Sequence, residues 1–381
     1  MFINFWYPAV ESGKLEGAPL KRRMLGQDFV LWRDEDGQAH CLSNTCCHRG
    51  GSLGDGLVED SCIQCPYHGW RFNGEGQCVR VPSIGMKAKA PGRARVDSYP
   101  VTERYGLVFC FLGDLDESQR PPLLEIPEWG QEGWQPTLQY FEWEVEYRRA
   151  VENGIDPAHN EFVHDTHGMK GEDENYKVSD LDIRETDWGT GFYNEVYAPP
   201  LPERRMREAS RVEKNSTITV GTGHHGPASV WTHINPSPVM KIYQYLYRVP
   251  IDEVLTGLYM VTMRNFMQDA AHDETIMKRN EYVAFQDRDI LLTLHPKLAP
   301  RTSAKDMLTP SDYAVGRYRQ WLAEWEARGW CIDMEKVRKA GEHTAFAIPS
   351  PGRRRKKGWV IDPIPLVPAK SADAAKSDQA A

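Results

Sequence analysis

A chain of 381 residues with a formal charge of −8 is long enough to bury two cores, because single cores stop growing well below this length. It lacks the clustered basic face that phosphate binding demands, which excludes a nucleic-acid protein. Its eight cysteines match no compact disulfide framework, MFINFWYPAV carries no secretory signal, and no window of about 18 residues is uninterruptedly apolar, so the expectations are a reducing cytoplasm and no membrane span.

In chain order, residues 1–130 read as a small all-β domain. FVLWRD before EDGQ, CIQCPYHGWRF before NGEGQ, and GLVFCFLGD are apolar-rich runs broken by Gly, Asn and Asp. The proline-rich RPPLLEIPEWG (120–130) closes this domain, and residues 131–365 are assigned to a second one. There YFEWEVEYRR (140–149), VMKIYQYLYRVP (239–250) and VLTGLYMVTMRN (254–265) are strand candidates rich in β-branched and aromatic residues, which suggests one large antiparallel sheet. Helical spacing follows from Asp269 to Leu294, with Ile276, Val283, Phe285, Ile290 and Leu291 toward one side, and again over Tyr313–Arg328. The fold class is therefore α+β. The basic PGRRRKKGW (351–359) reads as a solvated surface and residues 366–381 as a disordered tail.

Two residue patterns carry chemistry. In the first domain, CCHRG at 46–50 opens the series Cys46-x-His48, sixteen residues, then Cys65-x-x-His68 inside CPYHGW. Each half offers one thiolate and one imidazole. A zinc site can use the same residue types, but it ordinarily pairs Cys with Cys and His with His. One of each on two hairpin tips suits a Rieske [2Fe–2S] cluster, in which one iron takes two thiolates and the other two imidazoles, raising the potential above that of an all-cysteine cluster. Gly50, Gly51 and Gly69 let the loop backbones approach such a cluster. Cys47 points away from a metal shared by its neighbours and reads as packing, as do Cys41, Cys62, Cys78, Cys110 and Cys331.

In the second domain, VENGIDPAHNEFVHDTHG sets out Asn153, Asp156, His159 and His164. Steps of three put the first three near one helical face, and Asp156 before Pro157 can serve as an N-cap. The five-residue step from His159 to His164 is too far round a regular helix for both to reach one metal, so a π-bulge or a helix end after Asn160 is expected. Two neutral imidazoles plus a carboxylate, with one face open, is the ligand set of non-haem Fe(II) enzymes that activate O2. FQDRDILLTLHP in the long helix offers Asp287 and Asp289; lying about 200° apart, only one can face a metal. The sheet between residues 219 and 264 is the expected pocket wall, with His224, His225, Trp231 and His233 as candidates.

With both patterns present in this order, the chain resembles the Rieske non-haem iron oxygenases, specifically their catalytic α subunits. The resemblance implies an N-terminal Rieske domain and a helix-grip (START-like) antiparallel-sheet catalytic domain. It implies cluster binding by Cys46, His48, Cys65 and His68, and a mononuclear Fe(II) on His159, His164 and, from QDRDIL, Asp287 ahead of Asp289. Asp156 matches the family's bridging aspartate and Asn153 the asparagine near the iron. The family also implies a head-to-tail homotrimer and NAD(P)H-derived electrons from a ferredoxin and/or flavin reductase. The expected reaction uses O2 to hydroxylate, dihydroxylate or demethylate a small hydrophobic, aromatic or other cyclic substrate. The residues alone leave two other readings open: a Rieske-type electron carrier with a non-catalytic ligand-binding domain, and a structural zinc protein.

Overall fold

The computed structural model describes residues 1–85, 87–165, 176–197, 217–300 and 302–370. They fall into two compact units, Met1–Leu123 with the chain from Glu324 onward, and Leu124–Ala323. The first boundary lies in the proline-rich connector. The second boundary moves residues 324–365, placed in the second domain by sequence, into the first unit. The cause is apolar cover for the N-terminal strand: Trp325 packs edge-on against Phe5 at 5.0 Å between ring centroids, and Cys331 pairs in a β-bridge with Phe2.

Among the described residues the first unit holds three antiparallel sheets and a short parallel pair, Phe346–Ala347 with Asp362–Pro363. Strand β1 (Phe5–Glu11) pairs with β11 (Leu107–Leu112), which pairs with β10 (Val101–Arg104). Every residue of β11, LVFCFL, is buried, as a continuous apolar run in a central strand requires. The second sheet has the order β2 (Leu20–Met24), β3 (Gln27–Arg33), β4 (Ala39–Ser43), β9 (Ser98–Tyr99). The third runs β5 (Leu57–Glu59), β6 (Cys62–Gln64), β7 (Arg71–Phe72), β8 (Cys78–Arg80). Val30, Trp32, Leu42, Leu53, Ile63 and Phe72 form the core that carries Cys46 and Cys65.

The basic 351–359 run is only partly solvated. Arg355, Lys356 and Lys357 are exposed, but Arg353 donates twice to Asp97, at 2.8 and 2.7 Å, and Asp97 is 1% exposed. Removing one partner of a buried pair like this costs about 3–5 kcal/mol. Residues 366–370, expected to open a disordered tail, are held by backbone contacts. Leu366 bridges Ile332 and the Lys370 N–H donates to Ala327 O; residues 371–381 lie outside the described residues.

In the second unit the described strands form one antiparallel sheet in the order β12 (Gln135–Trp143), β18 (Thr256–Arg264), β17 (Ile242–Pro250), β16 (Ser229–Ile234), β15 (Thr217–His225), β14 (Gly189–Tyr197), β13 (Asp182–Thr186). The strand expected over 140–149 stops at Trp143 because its partner ladder begins at Thr256, opposite Trp143. The chain then turns into helix α1 (Tyr147–Gly154). Helix α2 is one turn (Asn160–Val163), α3 spans Asp273–Thr293, and α4 (Tyr313–Ala327) leads back into the first unit.

Helix α3 lies on one face of the sheet. Gln139 Nε2 donates to Met277 O at 3.0 Å, and Asn280 Nδ2 donates to Thr262 Oγ1 at 3.0 Å. Alternation along each strand then fixes which residues share that face: Thr222, Val230, Gln244, Leu246, Arg248 and Met260. The buried stripe of α3 is Ile276, Asn280, Ala284 and Leu291, whereas Ile290, expected on it, is 43% exposed. Among the described residues, no helix is long and apolar enough to cross a membrane.

Candidate metal centres

The two Cys–His segments form matching loops. The first follows β4 and the second joins β6 to β7. In each, the cysteine N–H donates to the carbonyl five residues on, Cys46 to Gly51 at 2.9 Å and Cys65 to Trp70 at 2.8 Å. In each, the residue four on donates back, Gly50 to Cys46 O and Gly69 to Cys65 O, both at 3.0 Å. Both donors are glycines with φ of +74° and +69°, a conformation that costs glycine little. A Cβ on Gly51 would stand 2.9 Å from Cys65 Sγ, so this position admits no side chain without moving a cluster ligand.

Depth separates the donors. Cys46 and Cys65 are 1% and 2% exposed, whereas His48 and His68 lie at the surface of the unit. The imidazole rings stand 4.5 Å apart at 72°, and His48 stacks on Trp70 at 4.4 Å and 8°. Burial pushes the Cys46 thiol up to about 12, so a thiolate there needs a metal partner. Burial, and then the neighbouring His68, hold His48 below its ordinary value. No three of these four donors gather within the span of a single ion among the described residues. Thiols at depth and imidazoles at the surface fit a cluster with thiolates on an inner iron and imidazoles on an outer one.

The second site is gathered from separated parts of the chain. His159, His164 and Asp287 each present one donor atom, and all three atoms lie within 4.8 Å of one another. Asp287 Oδ1 is 3.6 Å from His159 Nε2 and 3.3 Å from His164 Nε2. The irregularity required by the His159–His164 spacing is present as a helix end after Asn160, at Val163, with a further bend before it. Helix α1 ends at Gly154, the chain bends through residues 155–159, and α2 ends at Val163, leaving His164 extended with φ −99° and ψ 110°. Asp156 is therefore not an N-cap: α2 begins at Asn160, and Asp156 Oδ1 accepts from the Ala158 N–H at 2.8 Å within the bend. Asn153 sits in the last turn of α1.

The other ring nitrogens fix the tautomers. His159 Nδ1–H donates to Asp156 O at 2.7 Å, since a carbonyl can only accept. His164 Nδ1–H donates to Gln286 Oε1 at 3.0 Å, while Gln286 Nε2 and the Tyr282 hydroxyl each donate to Asp165 at 2.8 Å. Nε2 is thus the unprotonated nitrogen of each ring, the form a metal ligand takes. Burial lowers the His164 pKa, keeping the ring neutral as a ligand must be. Asp287 Oδ1 is buried and has no hydrogen-bond partner. An orphaned carboxylate oxygen between two aligned imidazoles fits a divalent iron.

Helix geometry separates the two aspartates. Asp287 falls on the buried side with Ala284 and Leu291, whereas the Asp289 carboxylate, 64% exposed, pairs with Arg288. Of the expected pocket residues, His224 faces α3 but is a satisfied core group: the Thr190 N–H donates to its Nε2 at 3.1 Å and its Nδ1–H donates to Gly226 O at 3.1 Å. Trp231 and His233 alternate onto the opposite face, where His233 contacts the Tyr193 hydroxyl at 3.0 Å; His225 is likewise out of phase with that face. Gln286 and Asp165 were missed in the sequence, although Gln286 is the immediate neighbour of Asp287.

Residues 5–100 match the Rieske [2Fe-2S] domain and residues 143–328 the vanillate O-demethylase oxygenase C-terminal domain. Cholesterol 7-desaturase nvd 1 of Ciona intestinalis is 33% identical over 344 residues, 85% of this chain and 69% of that one. This chain belongs to the Rieske non-haem iron oxygenases. Within that family it is of the α-subunit type and carries the family's Rieske cluster and mononuclear iron. A putative toluene-4-sulfonate monooxygenase iron-sulfur subunit of Comamonas testosteroni is 35% identical over 163 residues, and the match spans 43% of this chain and only 46% of that relative. Among solved structures, NdmA of Pseudomonas putida CBB5 with caffeine superposes with a TM-score of 0.71 at 22% identity, covering 85% of this Rieske oxygenase chain and 91% of its own. That likeness speaks to the fold alone.

Proposed function

We propose that this chain is the terminal oxygenase component of a multicomponent Rieske system that uses O2 and NAD(P)H-derived electrons to hydroxylate, dihydroxylate or demethylate an aromatic or other cyclic small molecule. The carrying observation is the orphaned Asp287 Oδ1 between the Nε2 atoms of His159 and His164. A mere electron carrier has no use for such a triad. Iron held there supplies reductive O2 chemistry at an open coordination face. The chain's own residues do the rest. Gln286 and the Asp156 carbonyl hold the imidazoles in the ligating tautomer, and α3 fixes the carboxylate. Cys46, Cys65, His48 and His68 hold the cluster, with the imidazoles toward the surface where an electron donor, a ferredoxin or flavin reductase, can approach.

Asp156 takes the bridging role between the His159 of one copy and the His68 of the next in a homotrimer. Its carboxylate, about a quarter exposed, lies 3.9 Å from His159 Nδ1, and burial raises its pKa. Asp156→Asn should keep both metal centres and lose coupled turnover; retained turnover removes the bridge. An aromatic substrate is supported by the names of relatives, which act on vanillate and toluene-4-sulfonate. The test is product analysis after supplying reduced protein with 18O2 and a panel of aromatic acids, methyl ethers, N-methyl compounds and steroids. Substrate-dependent O2 uptake with label in the product is the expected result. Electron transfer without either would leave the carrier reading.

A further inference from the structure

Arg248 is a buried cation that forms no ion pair among the described residues. It stands on β17 opposite Leu258, on the sheet face that carries α3. It is 4% exposed, and neither its Nε nor its Nη1 has a hydrogen-bond partner. Gly154, the last residue of α1, makes room for it: a Cβ there would lie 2.6 Å from Arg248 Nη2 and 3.3 Å from its Cζ. The guanidinium therefore lies against the end of α1, two residues before Asp156. Burial pulls its pKa down to about 10, so it stays charged at neutral pH.

An unpaired buried charge costs several kcal/mol, and one that persists ordinarily has a task. The carboxylate whose charge acts on Arg248 is that of Asp287. Yet no hydrogen bond joins them, and Asp287 Oδ1 is itself unpartnered. Iron held by His159, His164 and Asp287 would offset the Asp287 charge and, as a dication against one carboxylate and two neutral imidazoles, would leave positive charge behind. The guanidinium adds a further positive charge, and a site with that balance favours an anion.

We propose that Arg248 receives the anionic group of the substrate, so that the molecule held beside the triad is an aromatic carboxylate or sulfonate rather than a neutral arene. A planar guanidinium suits these oxyanions, because it can give two parallel N–H donors to two oxygens. This rests on the oxygenase reading, but its test needs no turnover. Benzoate and benzamide, nearly equal in shape and different in charge, are titrated calorimetrically into the holoenzyme and into the Arg248→Met and Arg248→Lys variants, with iron counted in each.

The holoenzyme should bind benzoate about 30-fold or more tighter than benzamide, the strength of a charge-assisted pair. Arg248→Met should bring the two within about threefold of each other with iron retained, and Arg248→Lys should keep part of the preference. Equal binding of both probes by the holoenzyme overturns the proposal, whether or not the variants fold. So does Arg248→Met that loses iron while keeping the benzoate preference, which would assign Arg248 to the metal site instead. Benzoate binding through Arg248 without substrate-dependent O2 uptake leaves this inference standing and removes the oxygenase reading. Uptake driven by neutral arenes, with no charge preference, does the reverse.

Discussion

The two metal sites are built on opposite plans. The Cys–His site is local: each loop holds its cysteine and histidine within a few residues and closes on its own backbone, with the two loops repeating one hydrogen-bond pattern. The His–His–Asp site is assembled at long range, with His164 bonded to Gln286 across 122 residues and Asp287 delivered by a different helix. A local site needs little more than its loops and the small core beneath them. A long-range site depends on the sheet, on α3 lying correctly across it, and on the bend at 155–159.

If that contrast is right, each centre can be lost alone. Cys65→Ala should remove the cluster, its colour and its paramagnetic signal while leaving the mononuclear iron. Asp287→Ala should do the opposite, and substrate turnover should vanish in both; loss of both metals from either variant would break the comparison. A smaller effect is expected at Gln286→Leu, which frees the His164 ring without touching a ligand. Outer partners of this kind are worth about 10- to 100-fold in metal affinity, so iron dissociation should quicken by that order while the cluster spectrum stays the same.

A third test concerns the sheet that long-range assembly requires. His224 is held neutral, with Nε2 accepting from Thr190, and burial lowers its pKa from 6.5 to about 4. The folded value lies below the unfolded one, so the unfolded chain takes up the proton first. Stability is complete above about pH 6.5 and is lost as pH falls toward 4, by about 2 kcal/mol between pH 7 and pH 5. Denaturant unfolding of the second unit should show this slope, to which His233, also lowered to about 4 by burial, adds in the same sense, and His224→Gln should remove the His224 share. The smallest effect belongs to Asp289→Asn: an exposed carboxylate paired with Arg288 should change iron content not at all and stability by less than about 0.5 kcal/mol.

The same contrast governs what the sequence revealed. Ligands two or three residues apart on a turn carry their own geometry, so Cys46, His48, Cys65 and His68 were legible as a set. That only one of Asp287 and Asp289 can face a metal was legible from helix spacing, and Asp287 lies toward the buried side of α3 while Asp289 is exposed. The helix at Tyr147–Gly154 was not legible, because EVEYRR has the composition of a strand and only the end of the β18 ladder stops it at Trp143. Its far end is anchored by Arg319, which donates to both oxygens of buried Glu152 at 2.8 and 3.0 Å, a contact 167 residues distant. The face that Trp231 and His233 take was not legible, because strand register, and not residue type, decides it. Arg248 left a signal in YLYRVP, a cation inside an otherwise apolar strand, whose meaning depends on Asp287 and Gly154.

The most direct test of the account is a count of iron and acid-labile sulfide in the purified holoprotein, since one [2Fe–2S] cluster and one mononuclear triad make three iron and two sulfide per chain. The account predicts that ratio, with Asp287→Ala lowering iron to two and leaving sulfide at two. Two iron and two sulfide in the unmodified chain, or zinc with no sulfide, would contradict it.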